Sequence, residues 1–394
     1  MSQTDVNASV ELEPQCSGAA RILGSTLLAS EALTVRISPD REYCAVGLSD
    51  GSVQLHPMPH GSDKWPKIDL IAPEEKLPCT DIAFVFKQSD RKKLVAAYAS
   101  GFIRVWHYRN NGTSGLSNSW RELEHSLSGT DISEQKYNQI LCLSISSDNK
   151  RFVTGGSDTV VRLYELHSTS SGRLLIPNIR TDATFAHNYH SNRVTALFYY
   201  PTGGKDPALS HFFVSASWDG TIQGWDDRTN GSIWQYDGTN VAGADGLYLD
   251  AARGILLAAS YKHDKVLAQV WDPNFRRQES RKATHITSKP LSTVAQDSSS
   301  PAVQVYVARL TVDGQFIIFG GTNANYLKLV SSTTLRPIAT VSSLNSGVYS
   351  ADSCLDAQEK RRLIVTFTNG CRIIHIMIDQ KQQVSSDAHQ TPSG

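Results

Sequence analysis

Apolar positions along this chain fall in short runs that alternate with polar ones at a period of two, the spacing of a strand with one buried face. At residues 212–226 the run "FFVSAS" is followed by "WDG" and then "TIQGWD". An Asp-Gly pair between two such runs predicts a β-hairpin. The arrangement recurs as "EYCAVGLSDGSVQLH" (42–56), "KLVAAYASGFIRVWH" (93–107) and "RFVTGGSDTVVRLYE" (151–165). Weaker copies follow at 255–272, 316–330 and 362–376. Before each hairpin stands one more strand and a polar turn, as in "LTVRISPD", "ILCLSISSD" and "VTALFYYP". Each unit therefore reads strand, turn, strand, tight turn, strand, with a further variable strand before the next copy.

The tight turns, at Gly51, Gly101, Thr159, Gly220, Asp264, Asn323 and Gly370, are separated by 50, 58, 61, 44, 59 and 47 residues. Period-two alternation excludes helical repeats, and about four strands at this spacing predict an all-β, seven-bladed β-propeller of four-stranded antiparallel blades. A ring of blades must be closed to remove exposed strand edges. The last unit ends near Ile378 after three strands, so "RILGSTLLA" at 21–29 is expected to supply the outer strand of the seventh blade. The expected propeller spans 21–378, with loop insertions at 109–137 and 274–301 and disordered polar tails at 1–20 and 379–394.

The fourth unit resembles a WD repeat: His190, Val194, Leu197, Ser215, Ser217, Asp219, Gly220, Trp225 and Asp226 stand at that family's spacing. The resemblance covers about residues 20 to 378. It implies a structural hydrogen-bonded chain from Asp219 through His190 and either Ser215 or Ser217 to the Trp225 indole. Asp219 is expected at the turn position that tolerates positive φ. Other units depart from the pattern, with Ser100 for the turn Asp in the second, Tyr164 for the Trp in the third, and neither residue in the last two. Those blades are expected to rely on apolar packing.

Composition narrows the function. Basic and acidic side chains cancel at 38 each, which argues against nucleic acid or an anionic membrane as the direct partner. No apolar run reaches the ~20 residues of a membrane span. The six cysteines are scattered without knuckle or redox spacing, and the acidic start is unlike a secretory signal. A cytoplasmic or nuclear location is expected, and the sequon at Asn111 is read as incidental. No nucleophile elbow, phosphate-cradling glycine loop or HExxH pair occurs, and His187 with His190 lacks a converging third ligand. The chain is therefore expected to be noncatalytic and free of metal and cofactor; a propeller enzyme or metal protein is the alternative from another class.

The family's arrangement puts the residues before each first strand and before each turn Asp on one rim, the top face, where proteins and peptides dock. Those positions are Thr34, Thr80, Gln139, Arg193, Asp245, Tyr306 and Tyr349, and Ser49, Ala99, Ser157 and Trp218. Trp218 beside Arg193 has the composition of a binding hot spot; the alternative is that Trp218 lies down on the neighbouring blade and covers it. Separately, "WDDR" at 225–228 resembles the Trp-Asp-any-Arg motif by which some WD-repeat substrate receptors dock on the adaptor of cullin-type ubiquitin ligases, with Arg228 as the contact. The expected function is a noncatalytic scaffold or recognition subunit of an intracellular protein complex, with the ligase receptor as runner-up.

Overall fold

Each hairpin unit of the sequence becomes one antiparallel sheet, and seven such sheets stand around an axis. The computed structural model describes residues 13–59, 64–85, 91–125, 136–166, 173–174, 189–201, 207–229, 231–238, 240–262, 265–273, 290–296, 301–356, 359 and 362–379. Blade 4 shows the plan, with strands Val194–Tyr199, Phe212–Ser217, Thr221–Asp226 and Ser232–Asp237 in order from the axis outward. The first strands of the blades are Ala32–Ile37, Cys79–Val85, Ile140–Ile145, Val194–Tyr199, Leu247–Asp250, Gln304–Leu310 and Ala351–Leu355. Each touches the next, and the seventh touches the first, so the ring is closed.

Local chemistry sets the turns. Gly51, Gly101, Thr159, Gly220, Asn323 and Gly370 all have positive φ, while Asp264 lies outside the described residues. At Gly220 the φ is 82°, and its N–H donates to the Ser217 carbonyl at 3.2 Å. The left-handed residue is thus Gly220 and not Asp219, because a glycine has no Cβ to clash there. At the opposite end of the blades a hydroxyl two residues before an Asp closes the first turn. Ser38 donates to Asp40 at 2.5 Å, Ser146 to Asp148 at 2.6 Å, and Thr311 to Asp313 at 2.5 Å.

Apolar packing lies between blades. The described residues form seven buried clusters, one in each gap: Tyr43 and Leu55 of blade 1 against Leu94 and Trp106 of blade 2, for example, and Phe316 of blade 6 against Phe367 and Ile376 of blade 7. The Gly-Gly doublets permit this closeness. A Cβ on Gly155 would lie 2.7 Å from the Val194 side chain, and one on Gly320 would lie 2.7 Å from that of Val348. Cys44, Cys79, Cys142 and Cys354 are buried, free thiols of this packing.

The closing strand is Ala20–Leu27, which pairs along its length with Arg372–Asp379 as the outer strand of blade 7. The chain before it does more than the sequence suggests. Gln15–Gly18, expected in a tail, pairs with Pro337–Ser342 and makes blade 6 five-stranded. The supposed insertions also hold scaffold: Ser114–Arg121 is the outer strand of blade 2 and Ser292–Ala295 that of blade 5. Both strands are polar and largely exposed, so their period-two signal is weak. The basic group Arg276, Arg277, Arg281 and Lys282 lies outside the described residues. No helix of the described residues is long and apolar enough to cross a membrane.

Candidate functional site

Five of the first strands carry a register shift at the same place, their top end: between Ala32 and Thr34, Cys79 and Asp81, Ile140 and Cys142, Val194 and Ala196, and Val305 and Val307. A β-bulge leaves one residue unpaired and re-aims its side chain. Here the skipped residues are Leu33, Thr80, Leu141, Thr195 and Tyr306, and all five line one cavity of about 230 Å³. Ala242–Asp245 from the short turn before blade 5, and Tyr349 and Ser350 of blade 7, complete its wall, with Arg193 and Trp218 of blade 4. Much of the rim expected from the sequence thus converges on a single opening. Gln139 is exposed outside its lining.

Two of the expected rim positions, Thr34 and Asp245, are buried instead. Asp245 is the hub of the cavity floor. Its carboxylate accepts from Arg36 (2.9 Å) and Arg309 (2.7 Å), from the Ser350 hydroxyl (2.5 Å) and from the Ala351 N–H (3.1 Å). Arg36 also reaches Asp81 at 3.0 Å, and Asp81 accepts from the Leu143 N–H of blade 3 at 3.0 Å. Burial opposes the charge on Asp245, but the two guanidiniums and Ser350 outweigh it and hold the carboxyl below the usual carboxylate range. Asp81 goes the other way: burial pushes its carboxyl up and Arg36 offsets only part of that. Sequence reading missed this network, since its members come from separate blades.

At the rim the Trp218 indole is 44% exposed, and the Arg193 guanidinium lies over it at 4.7 Å from the ring centroid. Across the opening Tyr306 packs edge-on against both Tyr261 and Tyr349, each at 5.1 Å between centroids. Trp218 points outward because it occupies the solvent side of the turn whose backbone is held by the Ser217–Gly220 bond.

Behind Trp218 lies the blade 4 network. His190 meets Asp219 through Nδ1 at 2.9 Å and Ser215 through Nε2 at 2.6 Å, and the Trp225 indole N–H donates to the same Ser215 oxygen at 2.7 Å. Ser217 serves elsewhere, donating to the Asn192 carbonyl at 2.9 Å. The family model "WD domain, G-beta repeat" matches residues 123–165 and 183–226, which contain the hairpins of blades 3 and 4. Together with the seven-bladed ring, that match is consistent with the WD-repeat family. The chain is a seven-bladed β-propeller with WD-type repeats in blades 3 and 4. No curated protein matched the sequence.

Within this propeller, blades 2 and 3 do not fall back on apolar packing as expected. In blade 3 a buried carboxylate, Glu122, takes the place of the His: it accepts from Thr154 (2.5 Å), Asn138 (2.7 Å) and Tyr164 (2.8 Å). Arg162 pairs with it at 3.5 Å and with the turn Asp158 at 2.5 Å. In blade 2, Glu75 accepts from Ser100 at 2.8 Å and Arg104 at 2.6 Å. A Glu–Arg pair thus replaces Asp–His, because a buried turn still needs its donors satisfied. Burial pushes the Glu122 carboxyl up despite Arg162.

Asp219 gives a testable handle on the intact network. Burial opposes its charge, but His190 and the donors of Thr221 and Ser191 outweigh it and bring its carboxyl down to about 2. A carboxyl lowered on folding stabilises the fold above its unfolded value of about 3.9 and loses that contribution as pH falls toward the folded value. Asp219→Asn is expected to lower the urea midpoint at neutral pH and to flatten its decline between about pH 4 and pH 2. Parallel declines in both proteins would count against the network.

On the opposite face Arg228 is half exposed, but its fork is closed on Asp226, with Nε donating at 2.8 Å and Nη2 at 2.7 Å. His211, Asp226 and Asp227 also bring ligand-type atoms within 4.8 Å of one another, a grouping the sequence reading did not identify. Those carboxylates are already engaged: Asp227 accepts from Arg151 and Tyr199 at 2.9 Å each and meets His211 at 2.6 Å. His187 lies outside the described residues.

Proposed function

We propose that this protein is a noncatalytic recognition subunit or scaffold whose partner docks on the top face, with the Trp218–Arg193 pair as anchor at the axial cavity. WD-repeat propellers typically serve as interaction platforms, and that is the general ground for the reading. The observation that carries it is the bulging of five blades toward one opening beside an exposed Trp. Bulges that re-aim side chains recur next to functional sites, and aromatic residues with Arg dominate binding hot spots. The floor, by contrast, spends its charges on one another, which suits a rigid base and not a proton-transfer site.

Trp218→Ala is expected to weaken partner binding by ~2 kcal/mol or more while leaving thermal unfolding unchanged. Affinity purification with quantitative mass spectrometry, comparing wild type, Trp218→Ala and Arg228→Ala, makes the test. A partner set that drops with Trp218→Ala alone supports top-face docking. Retained binding with lowered stability means that Trp218 only covers its neighbours. Recovery of a cullin adaptor that depends on Arg228 turns the protein into a ligase receptor, for which the guanidinium must leave Asp226.

A further inference from the structure

We infer that the axial cavity recognises an oxyanion, the carboxylate or phosphate of an acidic side chain in the docking peptide, and that Arg193 is the group that reads it. The inference rests on the top-face reading above and adds the chemistry of its ligand. Among the charged residues lining the cavity, Arg36 and Asp245 are consumed by the floor. Asp245 has Arg36, Arg309, Ser350 and the Ala351 N–H on its two oxygens, which exhausts the roughly four lone-pair sites of a carboxylate. An incoming ammonium or guanidinium therefore finds no free carboxylate there.

The hydroxyls of Thr80 and Thr195 are spent as well, whereas that of Thr34 is buried without a partner among the described residues and carries no charge. Thr80 donates to the Ile140 carbonyl at 2.8 Å and Thr195 to the Val241 carbonyl at 2.5 Å, each binding its blade to the next. Arg193 differs. It is exposed, and among the described residues no carboxylate pairs with its guanidinium. Its guanidinium carbon sits 4.7 Å from the Trp218 ring centroid, a cation–π contact that restrains the planar guanidinium fork at the rim. A planar fork of that kind matches a carboxylate or phosphate bidentately. Glu31 acts electrostatically on Tyr349 of blade 7, across the ring from blade 4. The tyrosines Tyr306 and Tyr349 would then pack against the flanking peptide.

The test passes four peptide pools, degenerate except for a central Glu, phosphoserine, Gln or Lys, over the immobilised full-length protein. The Glu or phosphoserine pool is expected to be retained at least about tenfold over the Gln and Lys pools. Arg193→Gln should erase that preference, Arg193→Lys should weaken it, and Arg228→Ala should leave it intact. Preference for phosphoserine over Glu identifies phosphate as the source; equal retention identifies the carboxylate. If the Gln pool is held as well as the Glu pool, or the preference survives Arg193→Gln, the oxyanion assignment is wrong. Retention of all pools that falls with Trp218→Ala would still leave the top-face reading standing. Retention of none above bare resin would overturn both.

Discussion

Deleting residues 1–30 is expected to abolish cooperative unfolding. Ala20–Leu27 is the outer strand of blade 7 and pairs with Arg372–Asp379 from one end to the other. Without it a long strand with six buried residues, Ile373 to Ile378, presents an open edge. Leu28, which follows it, is buried with Ala32, Val35 and Ile373 in the cluster between blades 7 and 1. A loss of several ladder bonds at ~1 kcal/mol each, plus buried apolar surface, is on the scale of the whole stability of a domain, about 5–15 kcal/mol. Deleting only residues 1–18 should be far milder, because Gln15–Gly18 is mostly exposed on the edge of blade 6. Calorimetry and near-ultraviolet circular dichroism of the two truncations separate these outcomes. An unchanged melting transition in the longer deletion would sink the closure role.

Asp245→Ala is the point substitution with the largest expected effect, about 3–5 kcal/mol of stability, the usual cost of stripping the partner from a buried charge. It would leave Arg36 and Arg309 facing each other in the floor, their side chains only 15% and 16% exposed, with Asp81 and Asp352 as remaining partners. The loss should appear as a lower urea midpoint at unchanged slope. Adding Arg36→Met and Arg309→Leu to Asp245→Ala should recover much of it, since apolar groups of similar size can replace a buried ionic cluster. The pH dependence has a definite sign. Asp245 is lowered on folding, so its contribution is present above the unfolded carboxylate value and is lost as pH falls through the folded one. Asp81 is raised, so it works against stability as pH rises through the unfolded and then the folded value. A wild-type tolerance of Asp245→Ala would mean that the floor is held by packing alone.

The sequence by itself determined the repeat, and with it the fold. Hairpins are local: alternation and a turn residue at positive φ act within some fifteen residues, so Gly51, Gly101, Thr159, Gly220, Asn323 and Gly370 could be read as turns without tertiary information. The closing strand and the path from Asp219 through His190 to Trp225 followed from the same regularity. Only the tertiary structure decided what the site is made of. Bulges depend on the register between two strands, and nothing in the mixed chemistry of Leu33, Thr80, Leu141, Thr195 and Tyr306 marks them as one wall. Asp245 stood at the expected place before its strand, yet its side chain turns inward to an arginine 209 positions away and another 64 positions away. The Glu122 and Glu75 substitutes for the blade His, and the extra strand on blade 6, share that cause. Each is a contact between segments far apart in the chain, and a buried charge or an edge strand is satisfied by whatever partner the ring brings beside it.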